Sequence, residues 1–177
     1  MNGADKGLQP LHGKPLIAWV LERIAPQADE IIISANRNRD AYAAFGHPVL
    51  PDELPEDSPD FNGPLAGLRQ GLVAARYPLV LCVPCDTPFL PDNLVERLLV
   101  ALEENQAQIA IAATQEHSHR AVCLCRRDLA DHLAEFLAQG GRKVGDWQAS
   151  LKSVEVFFQE AENFRNFNTL EELASSR

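Results

Sequence analysis

An uninterrupted apolar run at residues 79–83 is followed by a proline, a cysteine and then the carboxylate of Asp86. Such a run is typical of a strand that is buried on both faces of a parallel sheet. Open α/β sheets bind their ligands beyond the carboxyl ends of the strands. Asp86 is therefore placed to hold a divalent metal on substrate phosphates. Alternatively, it caps the turn or the helix that begins near Pro91.

Strand and helix patterns alternate along most of the chain. Strands are predicted at residues 30–35, 48–51, 79–83, 109–114, 121–125 and 154–158, and helices at residues 15–24, 40–45, 64–76, 91–104, 129–138 and 169–174. Alternating units of this length predict right-handed crossovers between strands. We therefore expect an α/β fold, a three-layer α/β/α Rossmann-like domain with a mostly parallel sheet, in which residues 1–177 form a single domain.

Charge and hydropathy exclude several classes of function. The net charge of −9 argues against a nucleic-acid partner, since such proteins need a basic face. We expect no membrane partner, because no apolar stretch approaches the roughly 18 residues of a membrane span. No signal peptide opens the chain, which predicts a cytoplasmic protein with reduced thiols. The cysteine pairs at 82/85 and 123/125 lie in strand-like surroundings that favour buried free thiols over a zinc site.

The first 14 residues are rich in glycine, lysine and polar side chains and do not form a core strand. Doubly wound nucleotide-binding folds usually begin with a central strand and a glycine-rich phosphate loop. We expect the printed sequence to start just after such a segment. We therefore expect the natural gene product to be longer, and the short chain to bind GTP poorly.

Four segments in order resemble the molybdenum cofactor guanylyltransferase family. They are Asp-Lys-Gly at 5–7 with His-Gly-Lys-Pro-Leu at 12–16, Asn-Gly-Pro-Leu-Ala-Gly at 62–67, Cys-Asp-Thr-Pro at 85–88, and Asn-Phe-Asn-Thr-Leu-Glu-Glu-Leu at 166–173. The resemblance implies a nucleotide-diphospho-sugar transferase-like fold. It also implies transfer of GMP from GTP to molybdopterin with Mg²⁺ as cofactor and pyrophosphate as the second product.

The resemblance assigns nucleotide contacts to several residues. Lys6 would neutralise the triphosphate, Asp86 would bind Mg²⁺ and nucleotide, and Asp52 would contact the nucleotide. The family's Asn-x-Asn is here Ser-Ala-Asn at 34–36, so that the contact at Ser34 is a hydroxyl. Leu65, Ala66 and Gly67 would line the guanine or ribose region.

A second group of residues is assigned to the acceptor, molybdopterin. Asn166 and Asn168 would face it at the sheet edge, although both could instead be turn residues that satisfy their own backbone. His119, together with Arg120, would meet its anionic side. Arg142 and Lys143 would clamp its phosphate or, alternatively, cap the preceding helix.

Three functions stay open from the sequence. The first is the guanylyltransferase, a monomer whose partners are GTP, molybdopterin and molybdoenzymes or other cofactor-biosynthesis proteins. The second is a related cytidylyl- or sugar-phosphate nucleotidyltransferase. The third is a non-catalytic molybdopterin-binding protein.

Overall fold

The computed structural model describes residues 5–51 and 63–167 of the chain. The predicted site residues Asp52 and Asn168 and the predicted helix at 169–174 lie outside the described residues. Within these ranges the strands are β1 (Pro10–Leu11), β2 (Lys14–Pro15), β3 (Ile33–Ser34), β4 (Val49–Leu50), β5 (Leu79–Cys82), β6 (Ile109–Ala113), β7 (Ser118–Arg126) and β8 (Ser153–Phe157). The α-helices are α1 (Leu16–Ile24), α2 (Arg39–Ala43), α3 (Pro64–Ala74), α4 (Leu94–Glu104), α5 (Ala130–Ala138) and α6 (Val144–Ala149).

The largest sheet has the strand order β5-β7-β6-β8. Strand β8 is parallel to β6, whereas β7 is antiparallel to both of its neighbours, β5 and β6. This sheet is therefore mixed, whereas the sequence predicted a mostly parallel one. The physical reason is the short connection at residues 114–117, since so few residues can join antiparallel strands but cannot make a parallel crossover.

Strand β5 differs from its prediction in both pairing and burial. Its described partner is the antiparallel strand β7, and all four of its residues are half-buried. The prediction of a strand buried on both faces of a parallel sheet is therefore wrong for the described structure. An apolar run reports the hydrophobicity of a strand and carries no information about which strand lies beside it.

A smaller parallel pair, β3 and β4, joins Ile33 to Val49 and Ser34 to Leu50. The segment before α1 forms a short hairpin of β1 and β2, in which Leu11 is fully buried. Helix α2 is followed by Gly46, whose φ of +82° permits the tight turn into β4.

Helices cover both faces of the large sheet, which confirms the three-layer α/β/α arrangement. On one face, α4 turns Leu94, Leu98 and Leu102 toward the sheet, a spacing of one apolar residue per helical turn. On the other face, α3, α5 and α6 pack around Trp147, whose Nε1 donates to His132 Nδ1 at 3.2 Å.

Helix α6 is absent from the sequence prediction, because it is short and follows a Gly-Gly turn that hides its pattern. Helix α4 begins at Leu94 rather than near Pro91. None of the helices in the described part of the chain is long and apolar enough to span a lipid bilayer.

The four cysteines are free thiols. Cys82 and Cys123 lie opposite each other in the β5–β7 ladder, and Cys123 and Cys125 are buried in the core. Within residues 5–51 and 63–167, no three His, Cys, Asp or Glu side chains form a group that could hold a metal ion on their own. The burial of Cys123 and Cys125 agrees with their apolar surroundings, whereas Cys82 and Cys85 are half-buried.

Candidate active site

Asp86 lies beyond the carboxyl end of β5, at the edge of the sheet where a ligand of an open α/β fold is expected. Only 7% of the residue is exposed. Burial raises the pKa of the Asp86 carboxyl, and the nearby Lys6 ammonium opposes this rise. A buried carboxylate whose charge is incompletely balanced is a favourable ligand for a cation.

Lys6 is brought to Asp86 from the amino-terminal end of the described chain. Its Nζ lies 3.7 Å from Asp86 Oδ2, and its side chain is about half exposed. The pair therefore places one half-exposed cation next to one buried carboxylate at the sheet edge. The carboxylate can hold a metal while the ammonium faces an anionic ligand.

The segment that carries Lys6 is held in place by its neighbours on both sides. Tyr42 Oη donates a hydrogen bond to Asp5 Oδ1, and Asn38 Nδ2 donates to Asp5 Oδ2 at 3.2 Å. Gly7 is buried, and a Cβ atom there would lie 2.6 Å from Tyr42 Oη and 3.1 Å from Cys85 Sγ. Only a glycine lets the backbone approach Cys85 this closely. This approach fixes the position of Lys6 relative to Asp86.

Asn166 is tied to the same edge through Thr87, the residue after Asp86. Thr87 is fully buried, and its Oγ1 donates to Asn166 Oδ1 at 2.7 Å. The backbone N–H of Phe167 also donates to the Asp86 carbonyl at 3.1 Å. Lys6, Asp86 and Asn166, which the sequence assigned to two different substrates, are thus assembled at one place. Thr87 was missed as a site residue, although the Cys-Asp-Thr-Pro motif contains it.

The remaining nucleotide candidates have different surroundings. Ser34 is exposed at the end of β3, whose Ile33 packs in the same apolar cluster as Cys85. Leu65 and Ala66 lie at the start of α3 and are buried in the core. Their side chains therefore pack against the sheet, so any ligand contact from this turn of helix would come from its backbone or from Gly67, which is half-buried.

His119 lies near the start of β7 in a half-buried stack. Its ring is 4.6 Å from the ring of Phe164 at an angle of 19°, and its Nε2 is 3.0 Å from Thr114 Oγ1. Burial lowers the pKa of His119, and the neighbouring His117 lowers it further. The imidazole is therefore neutral at neutral pH, and it would meet an acceptor as a hydrogen-bonding group rather than as a cation.

Arg142 has the geometry of the alternative interpretation, a helix cap. Its Nη1 donates to the carbonyls of Leu137 and Gly141, both at 2.7 Å, at the carboxyl end of α5. Lys143 is exposed and directly precedes α6.

The chain is similar to known proteins over most of its length. The family model described as a MobA-like NTP transferase domain matches residues 1–154. A molybdenum cofactor guanylyltransferase from Burkholderia ambifaria is 51% identical over 180 residues, covering 99% of this chain and 88% of the relative. The enzyme of the same name from Cupriavidus taiwanensis is 44% identical over 178 residues, covering 98% of this chain and 87% of the relative.

Solved structures share the fold at lower identity. Molybdopterin-guanine dinucleotide biosynthesis protein A from Archaeoglobus fulgidus has a TM-score of 0.76 and 22% identity, covering 98% of this chain and 89% of the other. A 2-C-methyl-D-erythritol 4-phosphate cytidylyltransferase from Thermus thermophilus has a TM-score of 0.70 and 17% identity, covering 96% of this chain and 90% of the other. At these identities the likeness concerns the nucleotidyltransferase fold alone.

Proposed function

We propose that this chain, which belongs to the MobA-like NTP transferase domain family, transfers GMP from GTP to molybdopterin and releases pyrophosphate. The close relatives named molybdenum cofactor guanylyltransferase support the choice of both substrates. The observation that carries the proposal is the pair of Lys6 and Asp86 at 3.7 Å on the sheet edge, with Asn166 held next to it by Thr87.

The reaction joins two anions that repel each other. An oxygen of the molybdopterin phosphate forms a bond to the α-phosphorus of GTP, and the bond from that phosphorus to the oxygen of the leaving pyrophosphate breaks. Because the second pKa of a phosphate monoester is about 6, the attacking group is already ionised at neutral pH. No protein group has to remove a proton from it, so the chain's task is to neutralise charge and to align the two substrates.

The residues of this edge suit that task. Asp86 would hold a divalent metal, for which Mg²⁺ is the natural choice, since Mg²⁺ is usually bound by one or two carboxylates together with substrate phosphates. When bound, the metal supplies positive charge that stabilises the transferring phosphoryl group. Lys6 would neutralise the triphosphate, and Asn166 would orient the acceptor through a side chain that Thr87 fixes.

The other predicted contacts are proposed with the roles that their surroundings allow. Ser34 would offer its hydroxyl to the nucleotide, and the first turn of α3 would offer backbone groups around Gly67. His119 would donate or accept a hydrogen bond at the acceptor, and Lys143 would supply a mobile cation to it. Arg142 is better explained as the cap of α5.

The test is the substitution Asp86→Asn with Asp92→Asn as a matched control, because Asp92 is an exposed carboxylate that pairs with Arg23 on the surface. Losing one preorganised electrostatic contact costs about 100-fold or more in turnover. We expect a loss of this size for Asp86→Asn and no change for Asp92→Asn, measured as pyrophosphate release with GTP and molybdopterin. Full activity of Asp86→Asn would reject the assignment.

The same assay separates the alternative functions. Turnover with CTP in preference to GTP would favour a cytidylyltransferase. Molybdopterin binding without turnover of either nucleotide would favour a non-catalytic binding protein.

A further inference from the structure

Arg120 is an exposed side chain on β7, and the sequence assigned it, with His119, only to the anionic side of the acceptor in general. In the β5–β7 ladder Leu79 is opposite Arg126 and Cys82 is opposite Cys123. Because the strands are antiparallel, the residues of β7 that precede Cys123 lie toward the carboxyl end of β5, where Asp86 follows. Arg120 therefore lies at the same edge of the sheet as the Lys6–Asp86 pair.

A buried amide holds both ends of this arginine. Gln148 of α6 is only 1% exposed. Its Nε2 donates to the Arg120 carbonyl at 2.8 Å, and its Oε1 accepts from Arg120 Nη1 at 3.3 Å. The glutamine thus fixes the backbone and the guanidinium of one residue at the same time. A surface arginine that served only solubility would not need this support.

Gly145, one turn earlier in α6, completes the support. A Cβ atom at this position would lie 3.2 Å from Arg120 Cζ and Nη1 and 3.3 Å from Nε. The guanidinium therefore lies against the helix backbone at Gly145, in space that a larger residue at this position would occupy. A long, flexible side chain is held in one orientation by these two contacts.

The guanidinium retains donors for a ligand. It carries five N–H groups in a planar fork that matches the oxygens of a phosphate. Within the described residues, the Arg120 guanidinium donates a hydrogen bond to Gln148. In a chain with a net charge of −9, a preorganised cation at the ligand edge favours an anion as its partner.

We propose that Arg120 binds a phosphate group of a substrate, and that Gln148 and Gly145 position it for this contact. The identification of the phosphate with one of two substrates rests on the function proposed above. Either the phosphate monoester of molybdopterin or the triphosphate of GTP supplies the same chemistry, and the kinetic experiment distinguishes them.

The experiment compares Arg120→Gln with Arg126→Gln in the full chain. Arg126 is a suitable control because it is an exposed arginine at the opposite end of the same strand, where it pairs with Asp128. Hydrogen bonds to charged groups contribute enough that their loss costs about 10- to 100-fold in affinity. We expect Arg120→Gln to raise the KM for one substrate by this factor, with Arg126→Gln unchanged. A higher KM for molybdopterin assigns Arg120 to the acceptor, and a higher KM for GTP assigns it to the nucleotide. Equal KM values of the two variants for both substrates would overturn the proposal.

Gly145→Ala tests the positioning role. The added methyl group should displace the guanidinium and raise the same KM, whereas the melting temperature should stay constant or rise, because alanine favours a helix over glycine. A changed melting temperature with an unchanged KM would show that Gly145 is merely structural. Arg120→Lys, which keeps the charge but loses the fork, should restore only part of the affinity.

A binding measurement separates this proposal from the proposed function. Inorganic phosphate, the group that both substrates carry, should raise the melting temperature of the unmodified protein and of Arg126→Gln more than that of Arg120→Gln. If the protein transfers no GMP, the proposed function fails, and this shift still decides the role of Arg120. An equal shift in all three proteins would contradict a phosphate contact.

Discussion

A methyl group at position 7 has no room in this structure. The Cβ atom of an alanine there would lie 2.6 Å from Tyr42 Oη, 3.1 Å from Cys85 Sγ and 3.2 Å from Cys85 Cβ. Tyr42 is itself only 4% exposed and is hydrogen-bonded to Asp5, so its ring cannot simply rotate away. Gly7→Ala must therefore move the backbone or repack the cluster.

Overpacking of this kind costs about 1–3 kcal/mol of unfolding free energy. For a domain of this size each kcal/mol lowers the melting temperature by about 2–4 °C. Gly7→Ala should also lower turnover, because Gly7 lies between Lys6 and the cysteine that precedes Asp86. Calorimetry and urea unfolding give the first quantity, and pyrophosphate release gives the second.

The matched control is Gly71→Ala. Gly71 lies inside α3, and a Cβ atom there meets no atom within 4 Å. Replacing a helical glycine by alanine stabilises a helix by about 1 kcal/mol, so this variant should melt at a higher temperature with unchanged turnover. If Gly7→Ala were as stable and as active as the wild-type protein, the close approach of residues 5–7 to Cys85 would be refuted.

Three further predictions concern the same edge. Asp86→Asn should raise the melting temperature of the metal-free protein at pH 7, because burial raises the folded-state pKa of Asp86 and the ionised form is therefore unfavourable. The difference should vanish as the pH falls below the ordinary pKa of an aspartate, and a constant difference would contradict it. Thr87→Val should cost about 1 kcal/mol of stability and raise the KM for the acceptor, whereas Thr87→Ser should retain the bond to Asn166. An unchanged KM for Thr87→Val would contradict a contact between Asn166 and the acceptor. Burial raises the pKa of Cys85 to about 11. Iodoacetamide should therefore alkylate Cys85 slowly at pH 8 and faster as the pH approaches 11. Rapid labelling at pH 8, seen by peptide mass mapping, would argue against the raised pKa.

The sequence led to much of this site by local patterns. Asp86 was found because an apolar strand ended just before it, and the carboxyl end of a strand is where an open α/β sheet binds ligands. Lys6 and Asn166 were found through motifs of a family resemblance. Their assembly is a tertiary result, since Asn166 and Thr87 are 79 residues apart in the chain.

Other residues show why motif assignments need the fold. Leu65 and Ala66 lie in a segment for which the family resemblance predicts a nucleotide contact, yet both side chains are buried. Arg142 has the charge of a phosphate ligand, yet its Nη1 donates to the Leu137 carbonyl of α5 and to the Gly141 carbonyl that follows the helix. The support of Arg120 by Gln148 has no signal in the sequence, because the two residues meet only when α6 packs against β7.

The amino-acid sequence by itself determined the helices with an apolar residue on each turn, such as α4, and the turn at Gly46, because these depend on neighbours within a few residues. Tertiary structure alone decided the pairing of β7 with β5, the half-burial of β5 and the raised pKa of Asp86. Strand pairing and desolvation depend on groups that are distant in the chain, and no local pattern records which of them will become neighbours.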